Sequence, residues 1–339
     1  MSETTIQGDN PWRDRRIAIV PFPAVGDNTI YLRLAQTLSD AGARVSFYSD
    51  LFAPLADMLP WLATQPLSGS SLDELCDTHD LVIADVLTKQ LASWTRLVEH
   101  PESITNLLAT TAKHLPRGFV APPVPAMIHS CDANTPHRAL CPVRDRGASM
   151  VEWMDRYAQE VFGQPPPKSP PRLTPPTDWK PDVERNRRVL IFPTTPNPSK
   201  NYSLKGFARL ASRLESAGWR VDVVCMPNEI PQVAATLGVA RTLSFPSLRE
   251  LILHIMQSHA VISNDSGGGH LGSMLGLATY TITKKSADFV WRPGFNRDNQ
   301  VVGPVMTFKW FGGRVWRPFI PLDRIVSALG KPGAQRQSN

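Results

Sequence analysis

The sequence predicts an α/β protein of two Rossmann-like halves, and three observations carry that expectation. Arg16–Phe22 reads as a buried strand and Thr29–Ala41 as a helix with Ile30, Leu34 and Leu38 on one stripe; Ala43–Tyr48 begins a second strand. Strand, helix and strand at this spacing is a right-handed βαβ unit. Arg188–Pro193 opens the same pattern again, with a helix bearing Phe207, Leu210 and Leu214 and a strand at Arg220–Met226. Between them lies PPPKSPPRLTPPTDWKP, residues 165–181, whose proline density favours a stiff extended connector.

The remaining elements fill in that frame. Asp80–Asp85 supplies a further strand in the first half, and Pro125–His129 one more. A helix carrying Met150, Trp153, Met154, Tyr157 and Val161 ends at Gly163. In the second half Leu248–Gln257 is helical, His259–Ser263 a short buried strand, Leu271–Leu277 a helix and Thr279–Thr283 a strand. Pro321–Leu329 closes the pattern as a final helix with a polar tail. The expected division is residues 1–163, a linker at 164–181, a second domain at 182–320 and a C-terminal segment at 321–339. In such folds ligands bind at the carboxyl ends of the strands, which here implies a cleft between the two domains.

Composition narrows the function class. A chain of 339 residues, 42% hydrophobic and 19% charged, suits a globular enzyme with two cores. Its net charge of +6 favours anionic partners, yet the basic residues are scattered and none forms a nucleic-acid arm. Nucleic acid is not expected. Cys76, Cys131, Cys141 and Cys225 have neither CxxC nor metal-ligand spacing, although Cys131 and Cys141 are near enough in sequence to meet. The N-terminus lacks an apolar stretch and no window suits a membrane span, so a cytoplasmic protein is expected.

Four polar loops follow strands and carry the candidate chemistry. Gly26-Asp27 precedes a helix, where Asp27 is either a helix cap or a carboxylate base. Thr194, Thr195 and Lys200 offer two hydroxyls, backbone amides and an ammonium before a helix, suited to a diphosphate or simply a solvated turn. Pro227-Asn228-Glu229 places a carboxylate that either bonds ribose hydroxyls or is only solvated. The fourth loop is ISNDSGGGHLG, residues 262–272, where Asp265, Ser266 and His270 surround Gly267, Gly268 and Gly269. Glycines here allow positive φ and close approach of a ligand, and the following helix aims free N–H groups at an anion.

Competing motifs are absent or weak. No GxxxxGK[ST] loop and no HExxH occurs, and no two aspartates are separated by one residue as in a sugar-nucleotide metal clamp. Residues 267–272 formally satisfy GxGxxG, but the next apolar segment arrives early and ends at Lys284-Lys285.

The order Gly26-Asp27, Thr194-Thr195 to Lys200, Glu229, then Asp265-Ser266-Gly267 to His270-Leu271 resembles glycosyltransferase family 9, the ADP-heptose:lipopolysaccharide heptosyltransferases. The resemblance implies a GT-B fold, two Rossmann-like domains facing across a cleft, with Asp27 as catalytic base. It implies donor-diphosphate contacts from Thr194, Thr195 and Lys200, a ribose contact from Glu229, and sugar and phosphate contacts from Asp265, Ser266, Gly267, Gly268 and His270. Tyr202 stands where the family usually has tryptophan, and Lys284–Asp288 replaces its Gly-Pro-Thr loop.

The expectation is therefore an inverting, metal-independent transfer of a heptose or related sugar from an ADP-activated donor, with no cofactor beyond that co-substrate. The acceptor is a glycan or glycolipid, and the basic balance fits peripheral contact with an anionic membrane on its inner face. Other readings are a transferase using another nucleotide sugar or a protein acceptor, a non-catalytic nucleotide-sugar binding module, and an NAD(P)-dependent oxidoreductase.

Overall fold

The computed structural model describes residues 10–86, 94–111, 117–128, 138–139, 147–182, 185–311 and 313–332. The chain divides into two compact units: Met1–Asp145 with Glu152–Thr174, and Arg146–Val151 with Pro175–Asn339.

The first unit contains β1 (Arg16–Val20), α1 (Val25–Asp40), β2 (Arg44–Tyr48), β3 (Ala63–Gln65), α2 (Leu72–Thr78), β4 (Leu81–Asp85), α3 (Thr95–Glu99), β5 (Leu107–Thr111) and β6 (Arg138–Ala139). Its strands form one parallel sheet in the order β3-β2-β1-β4-β5-β6. Residues Ile17 to Val20 and all of β4 are buried, as expected where helices cover both faces of a parallel sheet.

Helix α4 (Met150–Phe162) runs from the second unit into the first. It buries Met154, Tyr157 and Val161 and stops where Gly163 takes φ 66°.

The proline-rich stretch is not one free connector. As far as Thr174 it belongs to the first unit, and hydrogen bonds pin it there. Arg33, nearly buried in α1, bonds Asp155 through Nε (2.8 Å) and Nη2 (3.1 Å) and also donates to the carbonyls of Pro167 and Ser169. Trp61 Nε1 donates to the Arg172 carbonyl at 2.8 Å. Proline-rich backbone has few donors, so its carbonyls need partners, and Arg33 and Trp61 supply them.

The second unit contains β7 (Arg188–Phe192), α5 (Leu204–Ser216), β8 (Arg220–Val224), α6 (Ile230–Leu237), β9 (Thr242–Leu243), α7 (Leu248–Met256), β10 (Ala260–Ser263), α8 (Gly267–Met274), β11 (Ala278–Ile282) and β12 (Asn299–Val302). A hairpin of β13 (Phe308–Trp310) and β14 (Gly313–Val315) follows, then α9 (Leu322–Leu329). The sheet is parallel in the order β9-β8-β7-β10-β11-β12. Its core gathers Ile191, Phe207, Leu210, Val223, Tyr280 and Ile325.

Both sheets therefore repeat the dinucleotide-fold strand order, 3-2-1-4-5-6 counted within each unit. That order reverses between the first and fourth strands, which leaves a crevice at their carboxyl ends. The crevice lies between β1 and β4 in the first unit and between β7 and β10 in the second.

One expected strand is absent. Pro125–Ile128 is a turn closed by Ile128 N–H to the Pro125 carbonyl at 2.9 Å, not a strand, because two prolines nearby remove ladder donors. His129, Cys131 and Cys141 lie outside the described residues; Cys76 and Cys225 are buried free thiols. Among the described residues no helix is long and apolar enough to cross a membrane.

Candidate functional site

In the second unit the crevice between β7 and β10 gathers the predicted donor residues. Asn264, fully buried just past β10, ties its two sides together. Its Nδ2 donates to the Pro193 carbonyl at 2.7 Å and its Oδ1 accepts from Tyr202 N–H at 2.8 Å. The loop bearing Thr194, Thr195 and Lys200 is thereby fixed to the end of β10 at both of its ends.

Within that loop, Thr194 Oγ1 donates to Glu229 Oε2 at 2.8 Å, and Met226 N–H donates to the same oxygen at 2.9 Å. Glu229 ends a single 3-10 turn (Pro227–Glu229) after β8, so the carboxylate faces the loop after β7. Thr195 Oγ1, in a largely buried residue, lies 2.7 Å from Asn201 Oδ1 and 2.9 Å from the Asn197 carbonyl. The fixed polar edge thus comprises Thr194, Thr195 and Glu229, brought together as the sequence suggested.

Asp265 is the electrostatic centre. Its Oδ2 is 2.5 Å from Lys285 Nζ and 3.2 Å from Lys200 Nζ, and its side chain is 6% exposed. Burial on its own would raise the carboxyl pKa; Lys285 first, and then Lys200, reverse this and hold it below the ordinary carboxylate range. Two ammonium groups against one carboxylate leave a net positive charge where α8 begins. Ser266, the N-cap of α8, makes no side-chain capping bond, and its buried Oγ has no partner among the described residues. Unbonded N–H groups of the first turn and an idle hydroxyl beside two lysines form an anion-binding arrangement.

The glycines are not needed here for positive φ. None of Gly267, Gly268 and Gly269 has positive φ. A Cβ on Gly268 would lie 2.7 Å from the Phe192 ring, one on Gly269 2.7 Å from Ser263 Oγ, and one on Gly272 2.6 Å from Val261 Cγ2. Missing side chains let α8 press onto the sheet, which sets its N-terminus at the crevice. His270, in the same helix, is 3% exposed, and burial drives its pKa down to about 4 against the raising influence of Asp265 and a backbone bond to Trp291. It is a neutral imidazole near pH 7, packed edge-on to Trp291, with Nδ1 unpartnered among the described residues. It is not a helix cap and not a cation.

In the first unit the crevice between β1 and β4 holds Asp27. Helix α1 starts at Val25, earlier than the apolar stripe indicated, so Asp27 is the third residue of the helix and not its cap; that position falls to Ala24. Buried Asn28 shapes the approach, donating to the carbonyls of Phe22 and Ala24 at 2.9 Å each and accepting from Ser49 Oγ at 2.6 Å. Beside Asp27 is a second carboxyl that the sequence pattern marks only as strand: Asp85, the last residue of β4, 2% exposed. Burial, and next the negative charge of Asp27, raise its pKa to about 7, with Tyr31 acting the other way. Lys285 likewise stands out in the sequence only as a departure from a loop pattern. Asp85 ends a strand and Lys285 follows one, and a place at the carboxyl end of a parallel sheet is the signal by which they are found.

Among the described residues no group of three or more His, Cys, Asp or Glu side chains is placed to hold a metal.

Residues 146–304 match the family described as glycosyltransferase family 9 (heptosyltransferase). No curated protein matches the chain. Solved structures do. Escherichia coli ADP-heptose lps heptosyltransferase II aligns with TM-score 0.60 at 17% identity, covering 93% of this chain and 98% of that one. A glycosyl transferase family 9 protein from Veillonella parvula gives TM-score 0.61 at 15% identity over 86% of each chain. E. coli heptosyltransferase WaaC with ADP gives 0.56 at 16%, covering 84% of this chain and 92% of that one. At such identities the structural likeness speaks for the fold alone. Residues 146–304 are thus similar to glycosyltransferase family 9, and the chain as a whole shares the α/β GT-B fold of the heptosyltransferases.

Proposed function

We propose that this protein transfers a heptose or related sugar from an ADP-activated donor to a hydroxyl of a glycan or glycolipid, with inversion and without a metal ion. The observation that carries the reading is the pair Lys200 and Lys285 held on Asp265 at the start of α8. A diphosphate leaving group needs positive charge and hydrogen-bond donors at the atoms where charge develops. Lysines, the first-turn amides of α8 and Ser266 Oγ supply both without the aspartate pair a metal clamp requires.

In this reading Glu229 accepts from a ribose hydroxyl, and Thr194 and Thr195 exchange their present bonds for phosphate oxygens. His270, neutral and buried, braces α8. Asp27 takes the proton from the acceptor hydroxyl as oxygen attacks the anomeric carbon and the nucleoside diphosphate departs from the opposite face. The ADP held by WaaC, whose fold this chain shares, supports adenine as the base. The acceptor's lipid character, with peripheral contact at an anionic inner leaflet, is supported by the net charge of +6. Dinucleotide oxidoreduction is disfavoured because Lys284 and Lys285 follow β11, where that fingerprint calls for an acid.

Thermal-shift measurements with ADP-, UDP-, GDP- and dTDP-sugars and NAD(P)H test the reading. Stabilisation by ADP-sugars above all others is expected. Stabilisation by NAD(P)H alone would replace it, and ADP-sugar binding without any turnover on glycan acceptors would reduce the protein to a binding module.

A further inference from the structure

We propose that the β13–β14 hairpin docks the second unit onto an anionic lipid bilayer. This rests on the reading of a glycolipid acceptor and names the element that would meet the membrane. The hairpin lies beyond the family match, which ends at residue 304. Its tip carries Trp310, 63% exposed, and Phe311, 94% exposed, with their rings edge to face at 5.2 Å between centroids. Val305, Met306 and Phe308 extend the apolar surface behind them. Phe311 takes φ 41°, a left-handed conformation unusual for a bulky residue. Large apolar groups concentrated on one protrusion mark a contact surface.

The charges around the tip identify what it contacts. Lys309 and Arg314 stand directly opposite each other in the ladder, an arrangement of like charges that disfavours the hairpin in water. Both are exposed, and no acidic residue occurs anywhere between Asp298 and Asp323. A protein partner or a second copy could answer the aromatic tip, but a paired cation one step behind an aromatic pair matches the bilayer interface. There Trp and Phe settle at headgroup depth while Lys and Arg reach anionic headgroups.

The base of the hairpin is rigid. Trp316 is buried and packs on Tyr202 at 6.1 Å between ring centroids, and Arg317 Nε donates to the Asn201 carbonyl at 2.7 Å. Both contacts are made to the loop that carries Lys200, so the docking element is tied directly to the proposed donor loop.

The test uses the full chain in co-sedimentation with vesicles of phosphatidylcholine alone and of phosphatidylcholine with phosphatidylglycerol. Wild type should bind the anionic vesicles and not the neutral ones. Trp310→Ser with Phe311→Ser should lower that binding at least tenfold, and Lys309→Gln or Arg314→Gln about fivefold each, with weaker loss at high salt. Unchanged melting temperature and ADP affinity in each variant show that fold and donor site are intact. Equal binding by wild type and the aromatic variant would overturn the assignment of the hairpin while leaving a lipid contact elsewhere. A wild type that ignores anionic vesicles yet binds ADP would overturn the docking and leave the transferase reading standing. A dimer in analytical ultracentrifugation that Phe311→Ser dissociates, without vesicle binding, would assign the tip to a second copy of the chain.

Discussion

The hydroxyl of Tyr31 lies 3.3 Å from Asp85 Oδ2 in the interior of the first unit, and 2.6 Å from Thr110 Oγ1. Thr110 in turn donates to the Ala84 carbonyl, while Asp85 Oδ1 has no partner among the described residues. The carboxyl is thus buried with one long hydrogen bond and a second carboxylate close by. Burial and the charge of Asp27 both favour its protonated form, which explains a pKa of about 7.

A stability change with pH follows from Asp85. A carboxyl whose folded pKa is raised to about 7 is fully compatible with folding below its unfolded value, about 3.9. Stability is then lost as pH rises from about 3.9 to about 7, because the unfolded chain releases its proton while the folded carboxyl keeps its own, and the loss levels off above that range. Asp85→Asn should therefore melt at a higher temperature than wild type at pH 8, with the difference shrinking toward pH 5. A difference in melting temperature that does not vary with pH would contradict the burial of an ionising carboxyl here.

Asp27 is separable from its neighbour by substitution. Asp27→Asn removes an acid from the first turn of α1, a loss of about 0.3–1 kcal/mol of stability. If Asp27 is the base, kcat falls by about 10²–10⁴-fold. Because its charge helps raise the Asp85 pKa, the variant should also lower that pKa, visible in carboxyl carbon NMR titration. Near-normal kcat in the folded variant would remove Asp27 from the chemistry.

Asn264 holds the donor loop. Asn264→Leu keeps the branching but strands Tyr202 N–H and the Pro193 carbonyl, each costing about 1–3 kcal/mol when buried and unsatisfied. Denaturant unfolding should show that loss, and ADP affinity should drop with it. Unchanged affinity in a destabilised protein would mean that the loop is positioned by other contacts.

Gly268 and Gly272 report on the seating of α8. Gly268→Ala would press a methyl against the Phe192 ring, and Gly272→Ala against Val261, for about 1–3 kcal/mol of destabilisation each. Calorimetric melting checks this; stabilisation, as expected for Gly→Ala in an open helix, would show that the close contact is absent.

Much of this architecture was legible because long apolar strands and striped helices announce themselves. Arg16–Val20, Arg188–Phe192, Arg220–Val224 and the α4 stripe fall where the pattern indicated. Short or polar strands did not: Ala63–Gln65, Thr242–Leu243 and Asn299–Val302 have too few apolar residues in alternation, and sheet position makes them strands. The start of α1 is not legible because Gly26, Asp27 and Asn28 look like loop, whereas Asn28 is buried with three hydrogen bonds. The polar loops after β7, β8 and β10 are legible from their composition and their place behind strands. Neither Asp85 nor Lys285 is marked as a site residue by local sequence, because each matters through a neighbour distant in sequence, which only strand order brings near.

The central claim is that the β7–β10 crevice binds a nucleoside diphosphate through Lys200 and Lys285. Calorimetric titration of ADP into wild type, Lys200→Ala and Lys285→Ala tests it most directly. Each partly desolvated, charge-assisted contact corresponds to about 2 kcal/mol, so each variant should bind ADP roughly thirtyfold more weakly; Lys285→Ala should also melt lower, because it leaves the buried Asp265 carboxylate short of its main partner. Equal ADP affinity in wild type and both variants would contradict the account, since the diphosphate would then lie elsewhere.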